Sequence, residues 1–273
     1  MSFHLTQVRH LVLDMDGTIY SGSTLFDCTL PFLDRLEKLG LGYTFITNNS
    51  SRGIQDYVDK LHRLGIPASR DQIYTSTDAV IEYLRAHLPE VRKLWLMGTP
   101  SMARHLEEAG FVVGNGSDPQ AVVVGYDTGL TYESLCRTAW WISRGLPFIA
   151  SHPDRVCPTD QPMLLVDCGS FSACLTTATG RSPIVLGKPD PRMLDGVCHR
   201  HGLRPEQLAV VGDRLYTDMA MAQRAGAVSV LVLTGEATAE EAAAFDPPPD
   251  LVIQDVGELG QLLASQAANG PPH

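Results

Sequence analysis

The sequence lacks any patch of positive charge. Lys and Arg number 21 against 31 for Asp and Glu, a formal net charge of −10, and the basic residues are scattered singly along the chain. Domains that bind nucleic acid usually gather Lys and Arg on one face. The charge pattern therefore argues against a nucleic acid partner.

The chain also lacks long hydrophobic runs and disulfide motifs. Its apolar stretches, such as Ala227–Leu233, are far shorter than the roughly 20 residues of a membrane-spanning helix. The first nine residues contain no apolar core of a signal peptide. The six cysteines include no Cys-x-x-Cys pair, so we expect reduced thiols, a cytoplasmic location and no membrane partner.

The rest of the composition is that of an ordinary globular protein. With 44% apolar and 19% charged residues, the chain is not disordered, collagen-like or a coiled coil. Its 273 residues exceed a typical single domain, and no internal repeat is visible. We expect one core domain with a substantial insertion.

Strand-like apolar runs alternate with helical patterns from the start of the chain. His10–Asp14 and Gly42–Thr47 have the pattern of buried strands, and Leu30–Leu39 and Ile54–Leu64 carry apolar residues at helical spacing. The alternation predicts an α/β fold with a Rossmann-like parallel sheet.

The alternation restarts in the middle of the chain, which predicts a second α/β unit. We predict that residues 81–180 are an inserted domain and that residues 1–80 and 181–265 form the core. Residues 266–273 are predicted to be a flexible tail.

Polar side chains follow three of the predicted core strands. Asp14, Thr47 and Asp213 each end or immediately follow an apolar strand. The carboxyl ends of parallel strands meet at one edge of a sheet, where ligands bind. We therefore expect these three residues to converge.

Asp14 and Asp16 lie two residues apart where the first strand meets a glycine-containing loop. A carboxylate can attack phosphorus to form an acyl phosphate, and a second carboxylic acid can protonate the leaving oxygen and later deprotonate water. The alternative is a pair of side chains that cap backbone amides at a loop entry.

Asp213 and Asp218 follow a later strand and begin a helical stretch. Such hard oxygen ligands suit Mg²⁺, which bridges carboxylate to phosphate. Alternatively, Asp213 caps a helix and Asp218 lies on a solvated face. Four carboxylates in one pocket would repel one another and an anionic substrate, and Mg²⁺ resolves that conflict.

Lys188 precedes a predicted helix start, with Asp190 as cap and Pro191 at the first helical position. These flanks favour a fixed cation that binds phosphate oxygens, although a surface lysine is the ordinary alternative. Thr47, Asn48 and Asn49 supply hydroxyl and amide donors for a phosphoryl group, and they also fit a turn that caps the next helix.

In this order, the four clusters resemble the haloacid dehalogenase-like hydrolase superfamily over nearly the whole chain. The motif Asp-x-Asp-x-Thr is present at Asp14–Thr18, the strand-ending Thr at Thr47, the Lys at Lys188, and Gly-Asp-x-x-x-x-Asp at Gly212–Asp218.

The resemblance implies a role for each matched carboxylate. Asp14 would be the nucleophile and Asp16 the general acid and base. Mg²⁺ would be held by Asp14, the backbone carbonyl of Asp16 and Asp213, with Asp218 in or just behind the metal shell. The dehalogenases of this superfamily lack the second Asp and its transport ATPases carry Thr there, so Asp16 implies a phosphoric monoester hydrolase.

The block between Thr47 and Lys188 resembles the C2-type cap of class IIA, the NagD-like and p-nitrophenyl phosphatase subfamily. Its recurring phrases are matched at Val124–Asp127, Phe148–Asp154 and Gly187–Pro191. Relatives in this subfamily hydrolyse sugar phosphates, nucleoside monophosphates, pyridoxal phosphate or phosphoglycolate, and they often pair through their caps. The resemblance thus implies a small phosphorylated metabolite as substrate and a homodimer.

One segment departs from the subfamily, which commonly has Thr-Asn-Pro-Asp where this chain has Ser151–Asp154. We predict that His152 and Asp154 lie over the phosphate pocket and select the leaving group. The alternative is a loop turned by Pro153, without a role in specificity. The departure means that no named relative's substrate can be transferred to this chain.

Two other functions fit the same motifs. A phosphotransferase would pass the phosphoryl group to an acceptor other than water. A non-catalytic regulator on the same fold would bind a metabolite without turning it over.

Overall fold

The computed structural model describes residues 5–114, 118–157 and 163–269. The strands are β1 (His10–Leu13), β2 (Tyr20–Ser21), β3 (Thr24–Leu25), β4 (Gly42–Thr47), β5 (Ile73–Thr75), β6 (Lys93–Met97), β7 (Val112–Val113), β8 (Ala121–Val124), β9 (Phe148–Ala150), β10 (Val156–Cys157), β11 (Leu165–Val166), β12 (Ile184–Val185), β13 (Leu208–Gly212), β14 (Val228–Val232) and β15 (Leu251–Ile253). The α-helices are α1 (Thr29–Lys38), α2 (Ile54–Arg63), α3 (Ser76–His87), α4 (Pro100–Glu108), α5 (Tyr132–Ser143), α6 (Cys168–Thr179), α7 (Arg192–His201), α8 (Ala220–Ala225), α9 (Ala239–Ala244) and α10 (Val256–Asn269).

The chain forms two compact units. The first comprises Met1–Ile46, Val58–Tyr74 and Val197–His273, and the second comprises Thr47–Tyr57 and Thr75–Gly196. Within the described ranges, no helix is both long enough and apolar enough to cross a membrane.

The first unit is built on a six-stranded sheet with the order β15-β14-β13-β1-β4-β5. Strand β1 pairs in parallel with both β13 and β4, and every residue of β1 and β13 is buried. Strands covered on both faces are continuous apolar runs, which explains why these two were recognisable in the sequence. The predicted parallel α/β fold is confirmed.

The last helix of the first unit corrects one prediction. Helix α10 packs against α1 and continues through Asn269, so residues 266–269 of the predicted flexible tail are helical. Apolar residues such as Leu259 and Leu263 are buried along its length, and this burial stabilises the helix close to its end. Residues 270–273 lie outside the described ranges.

The second unit has its own five-stranded sheet, with the order β12-β9-β8-β6-β7 and parallel pairing throughout. Strand β8 is fully buried, and Trp95, Trp141 and Phe148 contribute to the core beside it. Because β12 pairs with β9, Ile184–Val185 belong to this sheet although they lie beyond residue 180, the predicted end of the insertion.

Strand β5 and helix α3 were not predicted from the sequence. Helix α3 begins with a capping box, in which Thr75 accepts from the Asp78 amide and the Asp78 carboxylate accepts from the Thr75 amide. Most residues of its first two turns are buried, so the helix lacks the one-sided apolar stripe that marks an amphipathic helix.

Candidate active site

Three carboxylates converge at the carboxyl edge of the first unit's sheet. One side-chain oxygen each from Asp14, Asp213 and Asp218 lies within 4.8 Å of the others. Asp213 and Asp218 are buried, and Asp14 is partly exposed. The convergence that was predicted for Asp14 and Asp213 is therefore observed within this unit.

Strand pairing brings these residues together. Leu13, the last residue of β1, pairs with Val211 in β13, and the Asp14 amide donates to the Val211 carbonyl at 2.9 Å. Asp14 and Asp213 therefore follow the ends of two strands that pair side by side. A π-helical turn, Leu215–Met219, then carries Asp218 back towards the strand ends.

Two glycines allow the backbone to approach the carboxylates closely. Gly17 has a φ of +89°, and an added Cβ there would overlap the Asp213 carboxylate. An added Cβ on Gly212 would overlap the side chain of Asp218. A side chain at either position would force the corresponding carboxylate to move.

Polar neighbours orient the buried carboxylates. The Glu236 amide donates to Asp213 Oδ2 at 2.8 Å, and Thr217 Oγ1 donates to Asp218 Oδ2 at 3.2 Å. Arg214 forms an ion pair with Glu236 at 3.0 Å. Burial alone would lower the pKa of Arg214, but the negative charges of Asp14 and Asp213 raise it above its ordinary value.

The donor set fits a hard divalent cation. Like charges this close are costly in a partly desolvated site, and a single cation that accepts one oxygen from each would remove the repulsion. Carboxylate oxygens are the ligands that Mg²⁺ and Ca²⁺ prefer, whereas softer metals favour His and Cys.

Asp16 differs from the three converging carboxylates in its exposure. It is solvent-exposed, and its Oδ1 accepts from the Gly22 amide at 3.3 Å in the hairpin formed by β2 and β3. The loop that follows β1 is anchored just after Asp16, where the Thr234 hydroxyl donates to the Gly17 carbonyl at 2.6 Å. An exposed carboxylate on an anchored loop can exchange protons with a substrate and with water.

The second unit contains the polar residues that follow β4. Thr47 Oγ1 accepts from the Asn49 amide at 3.2 Å, and Asn49 Oδ1 accepts from both the amide and the hydroxyl of Ser51. Thr47 and Asn49 are half-buried. The turn that the sequence analysis gave as an alternative reading of these residues is therefore present, and it is compatible with phosphate binding.

The side chain of Asn48 connects two distant segments of the second unit. Its Nδ2 donates to the Lys188 carbonyl at 2.9 Å and to Asp154 Oδ2 at 3.1 Å, and its Oδ1 accepts from the Lys188 amide at 2.7 Å. Gly187 supports this arrangement with a φ of +77°, since an added Cβ would clash with the Asn48 amide and the Ser151 carbonyl. Lys188 itself is buried.

The comparisons with known proteins agree with this geometry. The family model described as haloacid dehalogenase-like hydrolase matches residues 11–112, and a second model, described as HAD-hydrolase-like, matches residues 185–259. An acid sugar phosphatase of Staphylococcus aureus is 30% identical over 93% of this chain and 97% of its own length.

The chain belongs to the haloacid dehalogenase-like hydrolase family.

Solved structures of this hydrolase family extend the likeness to the whole fold. A 4-nitrophenylphosphatase from Thermotoga maritima has a TM-score of 0.89 at 38% identity, covering 93% of this chain and 97% of its own. A glycerol phosphate phosphatase from Mycobacterium tuberculosis, solved with magnesium and also with calcium, has a TM-score of 0.86 at 30% identity, covering 94% of this chain. This chain covers 78% of the length of the protein in the magnesium complex.

The likenesses confirm three predictions for this haloacid dehalogenase-like hydrolase. NagD of Escherichia coli and the Thermotoga maritima enzyme are both among the similar structures, which confirms the predicted subfamily. The core with an inserted α/β cap is confirmed as the fold class. Phosphoric monoester hydrolase is confirmed as the enzyme class.

In this hydrolase, His152 does not occupy the surface that its predicted role requires. Its side chain is 0% exposed, and its ring nitrogens lie 2.8 Å from Ser151 Oγ and 2.9 Å from Asp167 Oδ1. Both ring nitrogens are therefore engaged inside the second unit. The predicted contact between His152 and a leaving group is therefore not supported by its burial.

Three further residues of the site were missed in the sequence. Asp167 pairs with His152 and caps α6, and Arg214 offsets the carboxylates of the first unit. Ser50 Oγ accepts from the Tyr126 amide and from the Ser151 hydroxyl. Only Asp167 carried a signal, because an Asp directly before a helix is a common N-cap.

Proposed function

We propose that this phosphatase hydrolyses small polyol phosphates with Mg²⁺ as cofactor and an aspartyl phosphate on Asp14 as intermediate. The observation that supports the proposal best is the convergence of Asp14, Asp213 and Asp218 at the ends of two adjacent buried strands. A nucleophilic carboxylate in a cluster that needs a cation is suited to phosphoryl transfer, where positioning and charge neutralisation do most of the catalysis.

The first half-reaction transfers the phosphoryl group to the protein. A carboxylate oxygen of Asp14 forms a bond to phosphorus while the bond between phosphorus and the leaving oxygen breaks. The electron pair of the broken bond stays on the leaving oxygen, and the Asp16 carboxyl group donates its proton there. The alcohol then departs and leaves phospho-Asp14.

The second half-reaction restores the carboxylate. Asp16, now ionised, takes a proton from water, and the water oxygen attacks phosphorus. The bond between phosphorus and Asp14 breaks, its electron pair returns to the Asp14 carboxylate, and inorganic phosphate is released. The exposure of Asp16 suits a residue that must meet both an alcohol and water.

The metal ligands we propose are Asp14, the Asp16 backbone carbonyl and Asp213, with Asp218 in or just behind the metal shell. A bound Mg²⁺ would supply charge neutralisation at the phosphoryl oxygens. We propose Mg²⁺ rather than Ca²⁺ because Mg²⁺ is commonly bound by one or two carboxylates together with substrate phosphate oxygens, although a related phosphatase has been solved with each cation.

Phosphate oxygens are proposed to bind Lys188, the Thr47 hydroxyl and the backbone amides of residues 47–49. For Asn48 the proposal concerns the backbone amide alone, because its side chain is committed to Lys188 and Asp154. Lys188 would contribute the fixed positive charge.

Asp154 is the residue we propose for substrate selection. It is half-buried, and Asn48 holds one of its carboxylate oxygens. A carboxylate is an acceptor for hydroxyl groups, which favours a polyol phosphate over an ester whose leaving group has none. Two of the relatives are named as phosphatases of sugar phosphate and glycerol phosphate, which supports the same class.

We also propose a cytoplasmic location and a homodimer formed through the inserted unit. The six cysteines include no Cys-x-x-Cys pair, and this pattern supports a reducing compartment. The dimer rests on analogy with the subfamily, and size-exclusion chromatography with light scattering would test it.

The deciding experiment measures phosphate release from a panel of esters in Mg²⁺ and in EDTA. The panel contains sugar phosphates, glycerol phosphate, nucleoside monophosphates, pyridoxal phosphate, phosphoglycolate and p-nitrophenyl phosphate. We expect Mg²⁺-dependent release that is fastest for a polyol phosphate. Release that is unaffected by EDTA would contradict the metal proposal.

Asp16→Asn tests the intermediate separately. With p-nitrophenyl phosphate the leaving group needs little protonation, so the variant should release about one equivalent of p-nitrophenol in a burst and then stall. A linear time course without a burst would contradict the assigned roles. Repeated turnover that requires an added alcohol and yields a phosphorylated alcohol in place of inorganic phosphate would indicate a phosphotransferase.

A further inference from the structure

Asn48 has a bonding pattern that the phosphatase reaction alone does not explain. It is buried, and its side-chain amide makes hydrogen bonds to both main-chain polar groups of Lys188 and to the Asp154 carboxylate. Lys188 lies 140 residues away in the sequence and Asp154 lies 106 residues away. One small side chain thus fixes two functional segments.

The pattern uses the full chemistry of an asparagine. Both amide hydrogens of Nδ2 have acceptors, and Oδ1 accepts from the Lys188 amide. Aspartate could not donate to the Lys188 carbonyl, and alanine would leave the Lys188 amide and carbonyl without these partners in a buried setting. The residue at this position therefore controls where the Lys188 main chain lies.

We propose that Asn48 is a positioning residue that couples the phosphate-binding Lys188 to the substrate-selecting Asp154. The proposal rests on the function proposed above. If Asn48 sets the place of Lys188, its loss should weaken phosphate binding while leaving the metal affinity unchanged, since the metal-binding carboxylates lie in the first unit.

The test compares Asn48→Ala with the matched control Gln120→Ala. Gln120 also uses a side-chain oxygen to accept from main-chain amides, those of Arg92 and Lys93, at the start of β6. We expect Asn48→Ala to lower kcat/KM for p-nitrophenyl phosphate by about 10- to 100-fold and to raise the inhibition constant of inorganic phosphate. The Mg²⁺ concentration for half-maximal activity should not change, and Gln120→Ala should behave like the wild type.

A double-mutant cycle distinguishes positioning from general damage. When Lys188 is already replaced by Ala, the further change Asn48→Ala should cost less than about threefold, because the group it positions is gone. Independent, multiplicative losses would overturn the proposal, as would an Asn48→Ala variant that matches Gln120→Ala.

A second variant covers the case in which Asn48→Ala does not fold. Asn48→Asp keeps an oxygen that can accept from the Lys188 amide, but it places a second carboxylate beside that of Asp154. The additional change Asp154→Asn supplies an amide that can donate to the new carboxylate. We expect partial recovery of p-nitrophenyl phosphate turnover in the double variant, and the absence of recovery would count against the coupling. A wild type that releases no phosphate would instead overturn the proposed function.

Discussion

The two units fix their polar groups by different means. In the first, main-chain pairing between β1 and β13 and close glycine contacts determine where the carboxylates lie. In the second, hydrogen bonds between side chains and distant segments hold the polar groups, as Asn48 and His152 show with partners 140 and 15 residues away in the sequence. Backbone placement depends on the fold itself, whereas side-chain placement can be altered one residue at a time.

The largest expected effect comes from replacing Asp14, the nucleophile that we propose. Asp14→Asn should lower kcat/KM by at least about a thousandfold, because an amide cannot form the acyl phosphate. The thermal midpoint should stay near that of the wild type or rise, since the substitution relieves repulsion with Asp213 and Asp218. Phosphate release and calorimetry on the same preparation check both parts, and retained activity would rule out Asp14 as nucleophile.

A glycine substitution tests whether backbone approach controls the metal site. Gly212→Ala should displace Asp218 and raise the Mg²⁺ requirement by about 10- to 100-fold. Gly129→Ala is the control, because its nearest neighbour to an added Cβ, Asp127 Oδ1, lies at an ordinary 3.6 Å. Equal Mg²⁺ titrations for the two variants would show that close approach has no bearing on metal binding.

The corresponding test in the second unit is His152→Ala. Loss of the buried hydrogen bonds to Asp167 and Ser151 should lower the free energy of unfolding by about 1 to 3 kcal/mol. The order of preference among phosphate esters should be unchanged, because the side chain does not reach the surface. Denaturant unfolding and the ester panel give the two readouts, and a reordered panel would restore the original substrate-contact hypothesis.

A pH effect is expected from the opposite end of β1. Burial, together with the neighbouring His201, lowers the pKa of His10 to about 4 from an ordinary 6.5. Between these values the unfolded chain takes up a proton that the folded chain does not, so stability is complete above pH 6.5 and falls as the pH approaches 4. The contribution is up to about 3 kcal/mol, and it should be largely absent in His10→Gln when unfolding is followed at several pH values.

The smallest effect is predicted for an exposed ion pair in the second unit. Glu133 and Arg137 lie one turn apart on α5 at 2.7 Å, with side chains that are 73% and 54% exposed. Glu133→Gln should change the free energy of unfolding by less than about 0.5 kcal/mol and leave activity intact. A larger change in the free energy of unfolding would mean that this face of α5 contacts another part of the protein or a second molecule.

Local patterns predicted the first unit well. The central strands β1 and β13 are mostly apolar, and Asp14 and Asp213 directly follow them. Their convergence could be predicted because the carboxyl ends of parallel strands meet at one edge of a sheet. The metal-ligand roles of these residues and of Asp16 stay predictions, since the geometry alone does not test them.

The second unit was less accessible to sequence reasoning. The partners of Asn48 and His152 are set by tertiary packing, and nothing in the sequence near Asn48 indicates that its amide is bonded to Lys188. Helix α3 was missed for a related reason, because a helix buried on several sides has no polar face to mark its period. The insertion boundaries at residues 81 and 180 likewise stay a prediction.

Strand β1 begins with a histidine whose protonation affects stability and ends directly before a carboxylate proposed to react. His10 begins the strand, and Asp14 follows its last residue. Protonation of His10 as the pH falls towards 4 weakens the strand that precedes Asp14, so the acidic limb of an activity profile would record loss of the scaffold together with effects on the chemistry. Comparing His10→Gln with the wild type along that limb would separate the two, because only the chemical component survives the substitution.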